Sequence, residues 1–125
     1  TLFPYTTLFR SDLFHSLCLE PRERAAADYL RGMGASGLGV EAAARTAAVL
    51  STGAEGAIPL KEGYAAAMAA QNTSYACVEK NIRSMVGKLQ AGACGEYQAL
   101  MGGLPAERPS NELFLRRLAR RILEW

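Results

Sequence analysis

The chain has 125 residues, of which half are hydrophobic and 21% are charged, a composition typical of one globular domain. Its formal net charge of +2 at pH 7 is too small to indicate nucleic-acid binding by itself. Three widely spaced cysteines and one histidine favour reduced thiols and argue against a structural zinc site. No apolar run approaches the roughly 20 residues of a membrane span. We therefore expect a soluble, cytoplasmic protein that binds no metal or cofactor and does not enter a membrane.

The first eleven residues, TLFPYTTLFRS, match residue for residue the in-frame translation of a common short-read sequencing adapter. They also lack the charged and apolar regions of a signal peptide. We therefore expect residues 1–11 to be an artefact that belongs to no domain, and residues 12–125 to be one domain of a longer protein.

Alanine, leucine and glycine dominate the remaining sequence, and strict apolar/polar alternation is not sustained. These features predict an all-α fold, a compact bundle of about six to seven helices. The predicted helices are 12–19, 21–33, 40–50, one from 59 to the connection AQNT at 70–73, one at about 74–90, a short one beginning at 96, and 111–124.

The loop GMGASG at 32–37 matches the dinucleotide-binding pattern G-x-G-x-x-G. That motif requires a preceding strand and a helix that receives the pyrophosphate at its N-terminus. Here the preceding segment, RAAADYLR, is helical in pattern. We therefore interpret 32–37 as a loop between two helices.

The segment NTSYACVEKNIRSMVGKL at 72–89 carries an apolar stripe at helical spacing, with Thr73 or Ser74 as its N-cap. Together with the preceding helix and the short AQNT connection, it predicts a helix-turn-helix. The stripe consists of Val78, Ile82, Met85, Val86 and Leu89. The residues predicted to contact DNA are Thr73, Ser74, Tyr75, Ala76, Glu79, Lys80 and Arg83.

The charges on this face suit base reading, because Lys80 and Arg83 could donate to guanine or phosphate and Glu79 could accept from cytosine. The alternative is an ordinary amphipathic helix whose solvated face holds a Glu79–Arg83 pair, worth roughly 0.3 kcal/mol.

Two blocks of the sequence resemble the C-terminal effector domain of the stage 0 sporulation protein A family, a sporulation response regulator. The first is Asn72-Thr73, Val78-Glu79-Lys80 and Ile82-Arg83. The second, RPSNELFLRRLARRILE, contributes Pro109, Ser110, Asn111, Glu112 and Phe114. Weaker similarity at FHSLCLEP and YLR extends the resemblance over 12–125.

The resemblance implies a six-helix, sequence-specific DNA-binding domain that regulates transcription, in a two-component system, as tandem dimers on double-stranded DNA. It also implies contact with RNA polymerase through its sigma factor, and Glu79, Lys80 and Arg83 as DNA-reading residues. The family's receiver domain is not found in 12–125. Cys77 and Ser84 stand where the family usually has arginine and histidine, and Gly87 weakens the recognition helix by roughly 1 kcal/mol relative to alanine.

The competing interpretation is a helical protein–protein interaction or dimerisation module without DNA binding. In that case Arg116, Arg117 and Arg120 on the last helix would contact the partner or a second copy. We do not expect an enzyme, because His15 has no convergent titratable neighbours in the pattern and Cys77 has no identifiable base.

Overall fold

The computed structural model describes residues 19–54 and 56–125, and within them it is all-helical. This confirms the predicted fold class. The helices are α1 (Glu20–Gly32), α2 (Leu38–Leu50), α3 (Leu60–Gln71), α4 (Tyr75–Gly92), α5 (Gly95–Met101) and α6 (Asn111–Leu123). The helix predicted at 12–19 lies outside the described residues except for Leu19, and so do residues 1–11.

The alanine-rich helix α2 is the centre of the bundle, and α1, α3, α4 and α6 all pack against it. Its side chains are short, so neighbouring helices can approach it from several directions without leaving voids. Ala42, Ala43, Ala44 and Ala47 are fully buried. The largest buried side chains of the core come from other helices, notably Tyr64, Ile82, Tyr97 and Phe114.

Two glycines allow neighbouring helices to approach α2 closely. A Cβ atom on Gly39 would lie 2.5 Å from the backbone carbonyl oxygen of Asn81 in α4. A Cβ atom on Gly63 in α3 would lie 2.7 Å from the Thr46 Cγ2 atom in α2. The Thr46 hydroxyl donates to the Gly63 carbonyl at 3.3 Å, so its buried oxygen has a partner. The backbones of α3 and α4 are thus held directly against α2.

The glycine-rich segment 32–37 connects two helices, as predicted. Gly34 and Gly37 have φ values of 97° and 84°, a region that favours glycine. Helix α1 precedes the segment, in the place where a dinucleotide site needs a strand. The next helix, α2, begins at Leu38, two residues before the predicted start, because Gly37 adopts the non-helical N-cap conformation there.

Candidate nucleic-acid interface

Helices α3 and α4 are joined by the three residues Asn72, Thr73 and Ser74. Asn72 is left-handed (φ 50°, ψ 54°), and the Thr73 N–H donates back to the Met68 carbonyl at 3.1 Å, which closes the end of α3. The Ser74 hydroxyl then accepts from the Cys77 N–H at 3.2 Å and caps α4. Of the two predicted cap residues, Ser74 therefore has this role.

The predicted apolar stripe of α4 is buried over its whole length. Its five members each expose 4% or less of their surface. Burying a side chain of this size stabilises the fold by about 1.5–3 kcal/mol, so the stripe fixes the rotation of α4 about its axis. The members are Val78, Ile82, Met85, Val86 and Leu89.

The opposite side of α4 faces outward at its N-terminal half. Ser74, Tyr75, Ala76, Lys80 and Arg83 are exposed. Two further predicted residues, Thr73 and Glu79, are half-buried. All seven predicted DNA-binding residues lie in the turn before α4 or in its N-terminal half, which we together call the α4 outer face, and five of the seven are exposed.

One ion pair lies on the α4 outer face. The Arg83 guanidinium donates to the Glu79 carboxylate at 2.7 Å, one helical turn away. Both side chains are partly exposed, so the pair contributes little to stability. Within the described parts of the chain, Lys80 has no carboxylate within ion-pair distance.

Cys77 is exposed in the first turn of α4. Hydrogen bonds with Ser74, and then with Thr73, are the largest causes that lower the pKa of its thiol, and the charge of Lys80 acts in the same direction. The thiol therefore ionises more readily than an ordinary cysteine thiol. The chain's histidine, His15, lies outside the described residues.

The N-terminal half of α4 is tied to α6 through a side-chain amide. The Asn111 Nδ2 donates to the Glu79 backbone carbonyl at 3.0 Å and to the Tyr64 hydroxyl at 3.2 Å. The pKa of the Tyr64 hydroxyl is raised, and burial is the largest cause. The Tyr64 ring meets that of Tyr75 edge-on, with centroids 5.2 Å apart. These contacts join the N-terminal half of α4 to α3 and α6. They could not be predicted from the local sequence pattern.

An open cleft of about 290 Å³ borders the α4 outer face. Helix α3, helix α4 and the loop before α6 form its walls. Its lining includes Tyr75, Glu79 and Arg83, which were predicted as site residues, and also Arg108, which was not. It is completed by Leu60, Tyr64, Ser110 and Asn111.

The arginines predicted as partner contacts lie on α6 in different environments. The half-buried Arg116 donates to the Ile58 carbonyl at 3.0 Å and pairs with Glu112 at 3.2 Å, so it holds the loop before α3. The half-buried Arg117 lies near Gly102, and Arg120 is exposed. Arg117 and Arg120 border one open pocket, and Arg116 and Arg120 border a second, on the side of the helix that faces Leu50.

No helix in the part of the chain that the structure describes is both long and apolar enough to cross a membrane. Among the same residues, no group of three or more histidine, cysteine, aspartate or glutamate side chains could hold a metal ion.

Comparison with known proteins gives no family assignment. No protein-family model, no curated protein and no solved structure matches the chain. The similarity to the sporulation-regulator effector domain, noted above from two sequence blocks, therefore stays a prediction.

Proposed function

We propose that this domain is a sequence-specific DNA-binding module of a transcriptional regulator of the sporulation-initiation response-regulator type, with α4 as its recognition helix. The observation that supports this most directly is the exposed, charged N-terminal half of α4, which follows a three-residue turn and is fixed in rotation by its buried stripe. A recognition helix needs both properties, since it must enter the major groove while remaining attached to the domain.

The Glu79–Arg83 pair is suited to base reading. An arginine can donate two hydrogen bonds to guanine, and a carboxylate can accept from the cytosine amino group. In the free protein the two side chains satisfy each other. An exposed pair of this kind costs only about 0.3–0.5 kcal/mol to separate, so a matching base sequence could replace it. Lys80, one residue after Glu79, then contacts phosphate or guanine.

The proposed partner is double-stranded DNA, bound by a homodimer, and the regulator acts in the cytoplasm through the sigma factor of RNA polymerase. Dimer and sigma-factor contacts are assigned to α6, with Arg117 and Arg120 beside its open pocket. Arg116, on the same helix, bonds to the Ile58 carbonyl and to Glu112. No catalytic role is assigned to any residue.

The test is selection of binding sites from a randomised duplex pool, followed by fluorescence-anisotropy titration of the enriched duplex. We expect one motif to be enriched, and the double variant Lys80→Ala/Arg83→Ala to lose binding to it. Arg24→Ala serves as the matched control, because it removes an exposed cation from α1, which packs on α2 and α6. If the pool yields no motif, or if the double variant binds like the control, the proposal is wrong.

A helical interaction module is the second candidate, and one surface favours it. Leu50, Ala119 and the exposed Leu123 line a mainly apolar groove, with Arg116 and Arg120 beside it. Such a groove suits an apolar segment of a partner that also carries acidic residues. This candidate predicts that Leu123→Glu abolishes association with a partner or second copy, measured by light scattering, and that no duplex binds in a salt-dependent manner.

A further inference from the structure

The cleft beside α4 contains an arginine that was not predicted as a site residue. Arg108 lies in the loop between α5 and α6, and it shares the cleft with Arg83 and Tyr75. We propose that Arg108 is a backbone-phosphate contact, which extends the DNA-binding surface from α4 onto this loop. The inference rests on the proposed function, because it assigns the place where phosphate lies when α4 occupies the major groove.

Contact with α4 places Arg108 beside the recognition helix. A Cβ atom on Gly87 would lie 3.5 Å from the Arg108 Cδ atom, so the apolar stem of the arginine passes over α4 at Gly87. Gly87 is one helical turn after Arg83 on the same helix. The arginine stem therefore lies against the helix that carries Arg83.

The charges in the cleft favour phosphate at Arg108. Arg83 is neutralised in the free protein by Glu79, at 2.7 Å. Arg108 is exposed, and within residues 19–54 and 56–125 it forms no ion pair; its hydrogen bond goes to the neighbouring Pro109 carbonyl at 3.4 Å. Its guanidinium is thus available to an anion, and arginine binds phosphate well because two of its N–H groups can donate in parallel.

Arg83 and Arg108 lie on different elements, and we therefore assign them different roles in DNA binding. Arg83 projects from the helix that would enter the groove, whereas Arg108 comes from a loop beside that helix. A residue at the edge of a groove-bound helix meets the DNA backbone, and backbone contacts position the protein without reading sequence. Arg108 should therefore add affinity at every DNA site and leave the preferred sequence unchanged.

The experiment compares Arg108→Gln, Arg108→Lys and Arg24→Gln with the unaltered chain, by anisotropy titration of the selected duplex over a series of KCl concentrations. One lost phosphate contact makes the slope of log affinity against log salt shallower by about 0.9. We expect this shift for Arg108→Gln, recovery of the slope in Arg108→Lys, and no shift for Arg24→Gln. Repeating the site selection with Arg108→Gln should return the same motif. Circular-dichroism melting checks that each variant is folded.

The outcomes separate the inference from the proposed function. If the unaltered chain binds the selected duplex but Arg108→Gln keeps its full salt slope, the phosphate role is wrong and the recognition-helix proposal remains. If Arg108→Gln changes the selected motif, Arg108 reads bases and the phosphate role is again wrong. If the unaltered chain selects no duplex, both proposals are wrong.

Discussion

Helices α4 and α6 are built alike, but they use their charged sides differently. Each begins with a serine N-cap, Ser74 or Ser110, and each buries five apolar side chains against the bundle. On α4 Arg83 pairs with Glu79, and among the described residues Lys80 forms no ion pair. On α6 Arg116 reaches across to Ile58, 58 positions earlier in the chain, and secures the loop before α3.

The difference shows that the density of cations on a helix does not indicate which surface is available to a ligand. The last helix is the more basic of the two in sequence, yet one of its arginines, Arg116, is already bonded to the loop before α3. The less basic α4 leaves Lys80 and Arg83 exposed. Availability depends on what lies opposite each side chain, and local spacing does not contain that information.

The largest expected effect comes from the position where α4 meets α2. Gly39→Ala would place a methyl group 2.5 Å from the Asn81 carbonyl oxygen, so the helices must separate. Overpacking of this kind costs about 1–3 kcal/mol of unfolding free energy, measured by urea denaturation. Gly32→Ala is the control, because a Cβ there meets no atom within 4 Å. Equal stabilities of the two variants would show that α4 is not seated at Gly39.

A smaller effect on the unfolding free energy is expected from comparing Arg116 on α6 with Arg83 on α4. Arg116→Ala removes the bond to the Ile58 carbonyl, and we expect it to lower the unfolding free energy by about 1 kcal/mol. Arg83→Ala removes only an exposed pair within one helix and should cost less than about 0.5 kcal/mol. Urea denaturation of both variants measures the difference. A larger loss for Arg83→Ala would reverse the assignment of structural and available arginines.

The smallest effect concerns ionisation at the start of α4. Hydrogen bonds with Ser74 and Thr73 lower the pKa of Cys77, so its alkylation by iodoacetamide should reach half-maximal rate at a lower pH in the folded chain than in urea. Thr73→Val should move the folded profile to higher pH while Ser74 still caps the helix. Coincident folded and unfolded profiles would contradict the proposed hydrogen bonding.

The lowered pKa of Cys77 also makes the folding stability depend on pH. Because the folded thiol has the lower pKa, its ionisation favours the folded state at pH values above the pKa of the unfolded thiol. That contribution is lost as the pH falls through the pKa of the folded thiol. The effect should be small, since Cys77 is exposed.

Within the residues that the structure describes, local periodicity predicted the helices and the burial of α4. The spacing of Val78, Ile82 and Leu89 requires one buried side, and all three are buried. Turn chemistry was also informative, since Asn72 ends α3 and Ser74 begins α4. These features depend on residues within a few positions of each other, where sequence spacing and geometry are directly related.

Contacts between distant parts of the chain were not predicted. The approach of Gly39 to Asn81, the bond from Arg116 to Ile58 and the placement of Arg108 over Gly87 each join separate elements. A glycine in a helix or an arginine in a loop can have many structural roles. Which role it has depends on the residues that pack against it in the folded chain. Of the seven residues predicted to contact DNA, five are exposed and two are half-buried, and their role in binding stays a prediction.

The Asn111 amide has a consequence for protein engineering. It lies one position inside α6 and donates at once to the Tyr64 hydroxyl of α3 and to the Glu79 carbonyl of α4. A helix pair excised at residues 60–92 and transplanted to another scaffold would lose this shared donor. The proposed DNA-binding helix pair therefore cannot be transplanted alone. A graft that keeps its geometry must include the first turn of α6 as well.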